Sequence, residues 1–363
     1  MMRKKGSKVI VTGILLLLLF AAFFAVVLIL QSLDKSEVPV LGEQFSITRK
    51  TRWFSGFIFG EVDKTMFPVI NNPKYLTVDE ANPILEDQDI VYFFETNRKT
   101  YVYPATILSY HHLVNDTINS EPIVMSLCLL SASAASYQRR VGNEVLEFGV
   151  TGTLFNGNLL MYDKTTDSQW LQLNGEAVEG SYAYSRLKTY APVFKTTWKV
   201  VKEKENIAVL PPVRDMKFYR EFYGSFLKSP FGIESLGDRR PSPLFDPFAI
   251  GVGIEVQDES AFYRLEQVKK KRIIQDKVGN FPLLIVYDPA LNSSLIYLRT
   301  IESQTLDFVK EGEYFIDTQT STRWNSKGHA VKGKMEGKSL QMPIFTEAYW
   351  FSWSTFYPQT KSL

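Results

Sequence analysis

Val91-Tyr-Phe-Phe-Glu95 and Gly251-Val-Gly-Ile-Glu255 open two stretches of this chain that fall into register when the sequence is shifted by 160 residues. No gap is needed from Val91 to Phe148 against Gly251 to Phe308, and Tyr103/Tyr263, Asp116/Asp276, Pro122/Pro282, Tyr137/Tyr297, Arg139/Arg299, Leu146/Leu306 and Phe148/Phe308 coincide. After a short length difference the register resumes. Asp163-Lys-Thr-Thr-Asp-Ser-Gln-Trp170 answers Asp317-Thr-Gln-Thr-Ser-Thr-Arg-Trp324, and Gly175-Glu-Ala-Val-Glu-Gly180 answers Gly328-His-Ala-Val-Lys-Gly333. Two copies of one unit are present, and each serves as a control for the other.

Within each copy the signal is mostly strand. Ile90 to Glu95, Thr100 to Tyr103, Ile123 to Leu127, Ala135 to Val141, Val145 to Val150 and Leu159 to Tyr162 are short and rich in β-branched and aromatic residues. Asn, Asp, Gly and Ser separate them, as turns require. The second copy repeats the pattern from Ile250 to Val309, and each copy closes on an aromatic stretch, Trp198 to Lys204 and Trp350 to Tyr357, that reads as a short helix. The expected fold is mainly β, a β-rich α+β ectodomain of two related units. Residues 68–205 and 249–363 form the units, and 206–248, rich in Pro and aromatics, is an inter-repeat wrap too apolar to hang free.

The N-terminus sets an expected address. Val9 to Leu30 is 22 residues without a charge, and at roughly 1.5 Å per residue a helix of that length crosses a hydrocarbon core of roughly 30 Å. Arg3, Lys4, Lys5 and Lys8 precede it, so the positive-inside bias keeps the tail in the cytoplasm and sends the rest out. A cleaved signal peptide would have a shorter apolar core ending in small residues. Residues 1–31 are therefore read as tail plus signal-anchor transmembrane helix and 32–67 as a juxtamembrane stalk. The expected location is the cell membrane, single-pass, with an extracytoplasmic ectodomain on the periplasmic or cell-surface side.

Composition limits the partners. At 363 residues, 45% hydrophobic, 22% charged and a formal net charge of +2, the chain has neither the field nor the basic runs of a nucleic-acid binder. Lys269-Lys-Lys-Arg272 is short and flanked by Glu266 and Asp276, so it reads as a solvated face. Cys128 is the only cysteine. An internal disulfide, a dithiol reaction by this chain alone and a multi-thiolate metal site are excluded.

The repeat sorts structure from function. Asp116 and Asp276, Asp163 and Asp317, Trp170 and Trp324, and Gly175 and Gly328 occur in both copies, which assigns them, with Arg139, to turns, a buried ion pair or cap, and an aromatic core plug. His111, His112 and Cys128 face Lys271, Arg272 and Asp288 of the second copy. The soft, titratable cluster belongs to the first copy alone, and these three residues are the catalytic candidates.

Tyr110-His-His-Leu-Val-Asn115-Asp116, Cys128-Leu-Leu-Ser131-Ala-Ser133-Ala, Phe148-Gly-Val-Thr-Gly-Thr-Leu-Phe155-Asn-Gly-Asn158-Leu-Leu-Met161-Tyr-Asp163 and Trp170-Leu-Gln172-Leu-Asn-Gly175 together resemble domain-of-unknown-function family 3179 (DUF3179), from about Pro68 to Thr360. The family pattern that this resemblance implies is Trp-His-x-x-Val-Asn-Asp followed by Cys-Pro-Leu-Cys-Gly. Here Tyr110 stands for the Trp, Leu129 for the Pro and Ser131 for the second Cys, so a two-thiolate site is lost.

Three functions are compatible with these residues. The first is a binding or scaffolding ectodomain with a degenerate site, holding an envelope protein or peptide. The second is a copper or haem protein in which His111, Cys128 and Met161 supply soft ligands. The third is a thiol-dependent enzyme in which His111 takes the Cys128 proton, although Leu127, Leu129 and Leu130 around the thiol push its pKa up.

Overall fold

The computed structural model describes residues 64–96, 99–227 and 241–362. The expected membrane span and nearly all of the stalk lie outside the described residues, and among those described no helix is long and apolar enough to cross a membrane. Strands dominate, and the two halves present them in the same order.

Each half begins with an entry sheet. In the first it runs Phe194–Thr197, Ile90–Glu95, Thr100–Pro104, Ile207–Val209, and in the second Thr346–Tyr349, Ile250–Val256, Glu259–Arg264, Lys361–Ser362. The last strand lies parallel to its neighbour in both. A seven-residue helix follows, Ala105–His111 or Leu265–Lys271, and leads into an antiparallel central sheet. That sheet is Leu113–Ile118, Glu121–Cys128, Ser133–Gln138 in the first half and Ile273–Val278, Phe281–Asp288, Ser293–Leu298 in the second. Among the described residues only the first half adds a further strand, Ile70–Asn71, parallel to the edge strand Leu113–Ile118. An outer sheet closes each unit: Phe148–Phe155, Asn158–Asp163, Gln169–Leu171, Ala177–Glu179, and Phe308–Glu311, Tyr314–Asp317, Arg323–Trp324, Ala330–Lys332.

Strand alternation divides the central sheet between two cores. Val124 and Cys128 face the outer sheet, where they pack with Phe148, Val150, Met161 and Trp170. Ile123, Met125 and Leu127 face the entry sheet and the helix, packing with Phe94, Tyr103 and Ile107. In the second half one continuous core takes the same positions, from Val252 and Tyr263 to Phe308 and Trp324.

The residues shared by both copies hold backbone together. Trp170 and Trp324 are wholly buried, and each indole N–H donates to the carboxylate seven residues earlier, Asp163 at 3.0 Å and Asp317 at 2.9 Å. The same carboxylates accept the Thr166 and Thr320 N–H groups, closing the turn between two strands. Gly175 and Gly328 have φ of +72° and +73°, and a Cβ there would sit 2.9 Å from the Tyr137 ring and 2.7 Å from the Tyr297 ring. Of the ion pair or cap expected at Arg139 the structure shows the cap: its guanidinium donates to the carbonyls of Ile123, Leu146 and Asp116. Asn115 grips both the N–H and the carbonyl of Phe148, as Gln275 grips Phe308. Asp116 and Asp276 each accept a tyrosine hydroxyl, from Tyr75 and Tyr263.

The halves meet at equivalent positions of their entry sheets. Lys195 pairs with Glu347, and these two occupy matching places, beside Tyr92 and beside Val252 in their respective entry sheets. Contact between a position and its own repeat mate is what an isologous interface produces. The relation is not kept further out. The closing helix Trp350–Phe356 packs Trp350, Trp353 and Phe356 onto Phe155, Leu160 and Leu171 of the first outer sheet, whereas the matching helix Trp198–Val201 packs within its own unit.

The connecting segment is described at 206–227 and 241–248. Ile207–Val209 completes the first entry sheet, and Met216–Leu227 is a helix. Met216, Tyr219 and Tyr223 recur at helical spacing and seat that helix on Ala105–His111, joining the core beneath it. Read for its prolines and aromatics alone, the segment hides this stripe.

If the shared acids are structural, Asp163→Ala and Asp317→Ala will each lower the unfolding free energy of the full chain. Each loss is about 1–3 kcal/mol, because a buried indole N–H and a turn N–H lose their acceptor. Urea titration with tryptophan fluorescence measures it, and comparable losses in the two variants are the expected result.

Candidate functional site

Cys128 is the last residue of the strand Glu121–Cys128 and is buried, its side chain on the face turned toward the outer sheet. The Ser131 hydroxyl and the backbone N–H groups of Ser131, Leu159 and Leu130 surround the thiol and act to lower its pKa. Such donors favour a thiolate, but the loss of water outweighs them and pushes the Cys128 thiol up from its ordinary range.

Below the thiol lies a buried polar network that no described residues of the second unit reproduce. Asn158 donates to Ser131 Oγ at 2.8 Å and to Gln172 Oε1 at 2.8 Å, Ser133 donates to the same Gln172 oxygen at 2.8 Å, and Gln172 donates to Ser126 Oγ at 3.1 Å. All five residues are fully buried. Ser131, standing where the family pattern has a second cysteine, is thereby part of a satisfied hydrogen-bond lattice that rigidifies the floor of the site.

The two adjacent histidines diverge. His111 is the last residue of its helix; its Nδ1–H donates to the Pro68 carbonyl, and its Nε2 accepts from the Tyr219 hydroxyl at 2.7 Å. Both nitrogens are occupied, and the ring ties the N-terminal segment to the Met216–Leu227 helix. Burial lowers its pKa, and Arg214 lowers it further. His112, one residue on, has φ +59° and ψ −38°, nearer the strained classic γ-turn than the left-handed helical well. Its Nδ1 lies 3.3 Å from the Leu127 carbonyl and its ring meets Phe67 edge-on at 4.8 Å between centroids.

His112 and Cys128 line one cavity. It holds about 230 Å³ between the central and outer sheets, and Phe67, Leu130, Val150, Leu154 and Leu159 supply most of its wall. The imidazole that shares this cavity with the thiol is His112; His111 packs on Tyr219 instead. Met161, fully buried, belongs to the same core as Cys128 and pairs with Val150 and Trp170 across the outer sheet. Among the described residues no three His, Cys, Asp or Glu side chains gather as a metal cage. Phe67, Val150 and Leu154 were not singled out in the sequence, but the repeat carries a trace of the site, since Lys310 replaces Val150 in the second copy.

Burial holds the His112 pKa down at about 4. The unfolded chain then takes up a proton near pH 6.5 that the folded chain refuses until about pH 4. Stability from this group is complete above the upper value and lost as pH falls through that window, by up to about 3 kcal/mol. In His112→Asn, which keeps a residue tolerant of positive φ, the fall in urea-measured stability between pH 7 and pH 4 should shrink by that amount.

Among known proteins, the model of the family described as "Protein of unknown function (DUF3179)" matches residues 64–360. No curated protein matches the chain, and no solved structure does. The match takes in both units and the cavity between the first central and outer sheets, and on that extent the chain belongs to the DUF3179 family.

Proposed function

We propose that this chain is a membrane-anchored, extracytoplasmic binding protein whose first unit holds an apolar group in the Cys128–His112 cavity. The carrying observation is that burial drives the two titratable groups of the wall apart, the thiol upward and the imidazole downward. Both are neutral at pH 7. A nucleophilic thiolate beside an imidazolium needs the opposite displacement of each, whereas an uncharged ligand gains about 0.8 kcal/mol for every methylene it buries. At about 230 Å³ the cavity is smaller than most cofactor pockets. It suits a short acyl chain or an apolar side chain of a neighbouring envelope component better than a haem. Tethering through residues 9–30, uncharged and preceded by four basic residues, is part of the same reading.

The single thiol provides the test. Cys128 in the full chain should react slowly with a small neutral maleimide near pH 7, and linear alcohols should slow it further as their chain lengthens from six to ten carbons. Leu130→Gln and Leu154→Gln, at half-buried wall positions, should abolish the protection without loss of the folded state. Rapid labelling that no alcohol affects would defeat the proposal.

A further inference from the structure

The second unit contains a cavity at the corresponding place, built on the same backbone and lined with different chemistry. It holds about 240 Å³, and Arg272, Pro289 and Lys310 line it where His112, Leu129 and Val150 line the first. Arg272 has φ +69°, its N–H bonds to Val268 O at 2.7 Å, and its carbonyl receives Tyr287 N–H at 3.0 Å. His112 has the equivalent bonds to Leu108 at 2.7 Å and from Leu127 at 2.9 Å. The duplicated turn thus brings a chosen side chain to this cavity in each unit. In the second unit that side chain is a permanent cation.

The rest of the wall is arranged around charge. The Arg272 guanidinium lies 4.8 Å from the centroid of the Tyr287 ring, with the Lys269 ammonium 5.6 Å from the same ring. A guanidinium lying over a ring keeps N–H groups available to donate. The guanidinium meets Glu313 at 3.3 Å, but the Glu313 side chain is 79% exposed, so the pair is weak and readily exchanged. Lys310 makes no ion pair with any described residue. Asn325 spends its amide oxygen on the N–H groups of Lys327 and His329, which leaves its NH₂ as a donor, and Tyr314 offers a half-exposed ring at the mouth.

We propose that this second cavity is a binding site for an oxyanion, a carboxylate or a phosphate, carried on a flat body that lies against Tyr314. The oxyanion takes the Arg272 edge in two hydrogen bonds, displaces Glu313 into water, and is completed by Lys310 and the Asn325 NH₂. The Glu313 carboxylate marks the position and competes for it. This site is independent of the apolar cavity of the first unit, and either can fail alone.

Benzoate, phenyl phosphate and the neutral analogue benzyl alcohol, titrated into the full chain and followed by calorimetry, test the assignment. The two anions should saturate one site per chain, more weakly as salt rises, and benzyl alcohol should not; the tighter of the two identifies the preferred oxyanion. Arg272→His introduces the residue that the first unit carries at this turn, so the fold tolerates it, and should weaken anion binding at least tenfold. Lys310→Val should weaken it severalfold, and Glu313→Gln should tighten it severalfold. Absence of saturable binding, equal binding of benzyl alcohol, or an affinity unmoved by both Arg272→His and Glu313→Gln would overturn the proposal.

Discussion

A single backbone turn governs both cavities of this molecule. After each seven-residue helix the chain must reverse into the central sheet within one residue, and it does so at a non-glycine residue of positive φ, His112 or Arg272. Such a conformation costs about 1–3 kcal/mol. It persists because both main-chain groups of that residue are bonded, its N–H back into the helix and its carbonyl to the neighbouring strand. The same geometry sends the side chain toward the gap between the central and outer sheets. Whatever residue occupies the turn becomes part of the wall there.

The surroundings then decide what that wall can be. In the first unit the added strand Ile70–Asn71, the Met216–Leu227 helix and the closing helix of the second unit all cover its sheets. Even the helix Ala105–His111 is buried at six of its seven positions. Under that cover a polar group must be paired or neutral, and Ser126, Ser131, Ser133, Asn158 and Gln172 are paired while Cys128 and His112 are held neutral. Among the described residues the second unit has no counterpart of these covers. Its helix Leu265–Lys271 buries only Val268, and Lys269, Lys270 and Lys271 face water. Charge is tolerated at the matching cavity for that reason, whereas the counterpart of Cys128, Asp288, stays buried and is held by the Leu291 N–H and the Ser326 hydroxyl.

Several features of the fold were legible because they repeat. Asp163 with Trp170 and Asp317 with Trp324 hold the same hydrogen bond at the same spacing, and Gly175 and Gly328 clear the same tyrosine ring. Arg139 was marked by recurrence as structural, but its partners proved to be carbonyls. A guanidinium facing backbone leaves no signature in the spacing of acids and bases. The Met216–Leu227 helix was obscured because its stripe of Met216, Tyr219 and Tyr223 is embedded among other aromatics, and what buries that stripe is a helix more than 100 residues earlier.

The amino-acid sequence by itself determined the duplication, the strand-rich class, the family and the restriction of the thiol and the paired histidines to one copy. Each of these is carried by local period or by comparison of the chain with itself. Only the tertiary structure decided which histidine meets Cys128. His111 and His112 are neighbours in the chain, but one ends a helix and the other forms the turn, so they point into different cores. That the wall also needs Phe67 and Leu159, distant in sequence from both histidine and cysteine, follows from sheet packing, which brings together residues that no spacing rule connects.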